Sequence, residues 1–160
     1  MPIFTSDLTS RGIIYADTIL TNSNENLTLN PSGTGVVSVP ATLAVTGVQT
    51  ITNTSLDDSF LLTTTEDSAT AGPVITLKRN STSPADGDYI GQIKFKGEND
   101  ADQEIVYAKI TGKILDNTDG TEDGILEFSF IKNGSQNISG RFRSDSLQLL
   151  NDTNLTVSGT

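Results

Sequence analysis

The run Asp116-Asn117-Thr118-Asp119-Gly120-Thr121-Glu122-Asp123-Gly124 places four carboxylates within nine residues. Calcium favours several oxygen ligands on a pliable loop, and Asp116, Asp119, Glu122, Asp123 and the side-chain carbonyl of Asn117 offer them. The spacing is not that of an EF-hand. With Gly120 as its sixth position, Leu115 would stand first and Leu126 twelfth, and neither carries a ligating side chain. The run therefore reads first as an exposed hairpin connection, and second as a structural calcium or magnesium site shared around a symmetry axis. No other cofactor is expected. Carboxylate pairs such as Asp119 with Glu122 or Asp123 have the makings of a hydrolytic pair, but acids crowded into exposed turns remain ordinary bases.

Other catalytic chemistry lacks its residues. The chain has no His and no Cys, which removes Ser-His-Asp and Cys-His catalysis, His-ligated metals and thiolate zinc sites. Trp, the usual platform for stacking sugars, is also absent. Gly33-Thr34-Gly35 has the look of a phosphate-cradling loop, yet no Lys-Ser/Thr follows it and no helical pattern opens after it. Pro31-Ser32-Gly33 reads better as a turn between Leu29 and Val36. The expectation is a protein without enzymatic activity.

The elements that position these residues are strands. Apolar residues recur with period two almost everywhere, and no segment has a helical pattern. In 89–97 Tyr89, Gly91, Ile93 and Phe95 share a face against Gln92, Lys94 and Lys96. In 104–115 Val106, Ala108, Ile110 and Ile114 oppose Lys109, Thr111 and Lys113. In 124–134 Leu126, Phe128 and Phe130 oppose Ile125, Glu127 and Ser129. Further strands are expected at 73–79 and within 139–150. Asp86-Gly87, the acidic run 97–104 and Asn133-Gly134 read as turns, the last of the type that closes tight hairpins. Residues 60–150 are thus expected to form an antiparallel β-sandwich or jelly-roll-like domain.

Residues 1–59 differ. Arg11 is their single basic residue, and short strands recur with a loose L-x-[LV] unit at 27–29 and 43–45. The unit returns at 155–157, so 151–160 reads as the start of a further β repeat. Strands so short leave their apolar faces open unless identical copies wrap around a common axis. An intertwined homotrimer is the expected closed solution.

Composition sets outer limits. The net charge is −10, from 20 acidic and 10 basic residues, which disfavours nucleic acid as a partner. No apolar run is long enough to span a bilayer, so membrane insertion is not expected. The beginning MPIFTSDLTSRG lacks the charged head and apolar run of a signal peptide, which points to synthesis in a cytoplasm. Sequons such as Asn26-Leu27-Thr28 and Asn80-Ser81-Thr82 follow from a chain in which Ser, Thr and Asn fill about a third of the positions.

Two stretches resemble a known family. ENLTLNPSGTGVVSV is similar to the strand repeat of tail-fibre and other appendage proteins of tailed bacteriophages, especially marine and cyanobacterial ones. The block from Gly87 to Gly134, with its Tyr107-to-Phe128 run, resembles a domain common in the same proteins. Together they span about half of the chain. The resemblance implies a non-enzymatic virion protein, usually trimeric, on a tail or on the capsid surface, and it carries over no catalytic residue. The leading expectation is a trimeric tail fibre made in the host cytoplasm and attached through residues 1–20, with Ile3, Phe4, Ile13 and Ile14 as docking apolars. Its partners would be its own copies and other virion proteins, and it would contribute to host adsorption. The alternatives are a capsid decoration protein (a cement or head-fibre protein) and a carbohydrate-binding module reading a bacterial surface glycan, with Tyr89 and Tyr107 as contacts. Both tyrosines also suit plain strand packing. The chain is either part of a longer fibre or a small stand-alone protein.

Overall fold

The computed structural model describes residues 21, 25–31 and 36–158. The chain divides into two units, Met1–Leu61 and Leu62–Thr160.

Among the described residues of the first unit, none joins a β ladder. The short apolar triplets at 27–29 and 43–45 stand with their side chains half exposed or more. A strand is stable only beside another strand, and none of the described residues of this unit supplies one. Local order comes from polar side chains instead. Asn53 Oδ1 accepts the Ser55 amide at 2.9 Å, and Asn53 Nδ2 donates to the Asp57 carbonyl at 3.1 Å, which closes an Asx turn.

The second unit holds five strands: β1 (Tyr89–Glu98), β2 (Glu104–Asp116), β3 (Asp123–Lys132), β4 (Ser135–Arg143) and β5 (Leu147–Leu149). They form one antiparallel meander in the order β1-β2-β3-β4-β5. The alternating Ile, Val, Phe and Thr that build them suit a pleated surface, and the turn residues between them decide where each strand ends. Between β1 and β2, Asn99 Oδ1 accepts the amides of Ala101 and Gln103 at 3.1 and 3.0 Å. Between β3 and β4, Asn133 and Gly134 take φ of 51° and 78°. Two positive values in a two-residue loop match the right-handed twist of the strands on either side.

Four register shifts interrupt the ladders. Phe95 pairs with Ala108 but Lys96 pairs with Val106, so Tyr107 is an extra residue on β2. That bulge carries Val106 to the side of Lys96, not to the face it was expected to share with Ala108. The second layer of the expected sandwich or jelly roll is not found among the described residues, which hold this single sheet. The strand expected at 73–79 is not formed either. Val74, Ile75 and Leu77 remain exposed and join no strand. Within 139–150, Ser144–Ser146 break the run, and the Arg143 amide donates to the Ser146 carbonyl at 2.8 Å. Residues 153–158, in the expected further repeat, join no strand.

Candidate functional site

The pairing register sorts the sheet into two unlike faces. On one face Gly91, Gly112, Leu126, Phe142 and Leu147 form a row across all five strands, followed by Ile93, Ile110, Phe128, Gly140 and Leu149. A third row runs Phe95, Ala108, Phe130 and Asn137. Phe128 and Phe142 meet edge to face with centroids 5.8 Å apart. Leu77 backs onto Gly91 so closely that a Cβ there would lie 2.9 Å from its own Cβ. Little else covers this face. Ile93, Phe95, Leu126, Phe130, Phe142, Leu147 and Leu149 are each 41–59% exposed, and no hydrophobic side chain among the described residues is buried.

The opposite face is the closed one. Its central row is Gln92, Thr111, Glu127, Arg141 and Gln148, and Thr111, Glu127 and Ser129 are buried to within 2%. Gln92 Nε2 donates to Thr111 Oγ1 at 3.1 Å, and Arg141 Nη2 donates to Glu127 Oε1 at 2.7 Å. The remaining side chains of the flanking rows are largely basic. Lys94 stands directly opposite Lys109, and Lys113 and Arg143 flank Ile125. The Nε atoms of Arg141 and Arg143 are buried without a hydrogen-bond acceptor. A usual half-buried sheet covers its apolar side and wets its polar side. Here the arrangement is reversed among the described residues: the central polar side chains are buried and the large apolar ones lie open.

The acidic connection between β2 and β3 is a self-braced turn. Asp116 Oδ1 accepts the Thr118 amide at 2.8 Å, and the Asn117 amide donates to Asp86 Oδ1 at 2.9 Å. Asn117 Nδ2 donates to the Pro84 carbonyl at 2.8 Å, and the Thr121 amide closes on the Thr118 carbonyl at 3.0 Å. Hydrogen bonds from the Thr118 amide and then its hydroxyl hold the Asp116 carboxyl below its ordinary value. Asp119, Glu122 and Asp123 project from the same stretch as exposed residues. Among the described residues no group of three or more such side chains converges as a metal site would require.

The two tyrosines are not brought together. Tyr89 pairs with Lys113 at one end of the β1–β2 ladder, where Lys113 Nζ lies 4.7 Å from its ring centroid. Tyr107 occupies the bulge near the other end, and its hydroxyl donates to the Glu98 carbonyl at 3.3 Å. Ile3, Phe4, Ile13 and Ile14 lie outside the described residues. The period-two pattern alone puts Lys94, Lys109 and Lys113 on a solvent face. Their convergence with Arg141 and Arg143 depends on register, and the signal within reach was the R-x-R of 141–143 set against an acidic chain.

No protein-family model, curated protein or solved structure matches this chain. No helix among the described residues is long and apolar enough to cross a membrane.

Proposed function

We propose that this protein is a non-enzymatic structural component of a bacteriophage virion, a trimeric fibre-like appendage that joins the particle through its N-terminal residues. The observation that carries the assembly is the uncovered apolar face of the sheet. Its seven large side chains are each 41–59% exposed in one copy, and Phe95, Phe130 and Phe142 alone leave roughly 300 Å² open, taking about half of the ~150–250 Å² an aromatic side chain has to bury. A standard interface takes roughly 800 Å² from each partner.

Packed copies would supply the second layer that is not found among the described residues, and the exposed triplets at 27–29 and 43–45 would find strand partners in the same way. The virion assignment adds to this the likeness of ENLTLNPSGTGVVSV and of the Gly87–Gly134 block to phage appendage sequences. Light scattering coupled to size-exclusion chromatography tests the trimer, and the position of this protein's density in an intact particle tells a tail fibre from a capsid decoration protein.

A further inference from the structure

We propose that the polar face of the sheet binds an anionic polysaccharide of low charge density. That its source is a bacterial surface rests on the virion reading above; the binding itself does not.

The chain is strongly acidic, yet six of its 10 basic residues lie on this one face: Lys96 in an outer row, ion-paired to Glu104 at 2.6 Å, and in three adjoining rows Lys94, Lys109, Lys113, Arg141 and Arg143. Glu127 is the single carboxylate in the three rows they occupy, and it is spent on Arg141 at 2.7 Å. Lys94 and Lys109 stand directly across from one another, an arrangement that destabilises a bare sheet. Neither has an acidic partner among the described residues. The face therefore carries more positive charge than the described residues neutralise, and an anion bound there would offset it.

The spacing narrows the class of anion. Lys109 and Lys113 are four residues apart on β2, about 14 Å at ~3.4 Å per residue. Duplex DNA carries a charge every ~1.7 Å, and a chain of net charge −10 repels so dense a polyanion. A sugar polymer with one carboxylate, sulfate or phosphate every few residues meets the Lys94–Lys109 and Lys113–Arg143 stations without that penalty. At the edge of the face the Tyr89 ring, half exposed and braced by Lys113, offers a flat apolar surface to a sugar ring.

The full chain is titrated by calorimetry with hyaluronan fragments, which carry one carboxylate per disaccharide, with neutral dextran and with a thymidine oligonucleotide. Hyaluronan should bind and dextran should not. Affinity should fall at least about tenfold in K94Q/K109Q and in K113Q/R143Q, and fall again with salt at about 0.5 M. The oligomeric mass of both variants should stay that of the parent, and neither should melt at a lower temperature; K94Q/K109Q, relieved of its facing charges, should melt no lower or slightly higher. Absent binding, binding unchanged in the variants, or equal or tighter binding of the oligonucleotide would each overturn the proposal. So would loss of the oligomer in K94Q/K109Q, which would make this face a contact with another copy. A monomeric parent that still binds hyaluronan would remove the trimer and leave this site standing.

Discussion

Glu127 is the most consequential single residue of the polar face, a carboxylate almost wholly out of water and held by one guanidinium. Breaking a fully buried pair on one side destabilises by about 3–5 kcal/mol. Because the Arg141 side chain is a quarter exposed, R141A should cost less, about 2 kcal/mol, read as a lower denaturation midpoint at fixed protein concentration. An unchanged midpoint would mean that water reaches Glu127 freely. The acidic turn calls for the opposite expectation. The side-chain carboxylates of Asp119 and Asp123 hold no hydrogen-bond or ion-pair partner among the described residues, and Asp123 enters the ladder through its backbone alone, so D119A/D123A should leave the melting temperature where it is, and a chelator should do the same to the parent. A large fall in both measurements would reinstate a calcium site.

The strands were legible because their pattern is local. Tyr89–Glu98, Glu104–Asp116 and Asp123–Lys132 follow the alternation of apolar and polar residues closely, and Asn133-Gly134 announces its own turn. G134A forces a Cβ into the left-handed region, where a non-glycine residue costs about 1–2 kcal/mol, and should lower stability by that amount in the same denaturation assay. A neutral result would show that the turn relaxes to another type. What the pattern could not supply was register. The Tyr107 bulge sends Val106 to the far face, and the Ser139 shift on β4 sets which residues meet Arg141 and Arg143. Nor could alternation tell a paired strand from an extended segment with no neighbour, which is why 73–79 and the triplets at 27–29 and 43–45 look like strands in sequence and join none in this chain.

The expectation of a sandwich rested on a simple requirement, that one sheet face rich in Phe, Ile and Leu must be covered. The requirement stands, but the described residues of this chain do not meet it. Its own second layer is not present among the described residues, its buried side chains are polar, and its apolar rows lie open. The account rests on these rows being subunit contacts. The most direct test is the absolute mass of the full chain at micromolar concentration, by light scattering on a size-exclusion column, for the parent and for F130D in the middle of the apolar face. The account predicts three times the 17.0 kDa of one chain for the parent and a folded monomer for F130D. A parent that runs as a clean monomer at that concentration would contradict it.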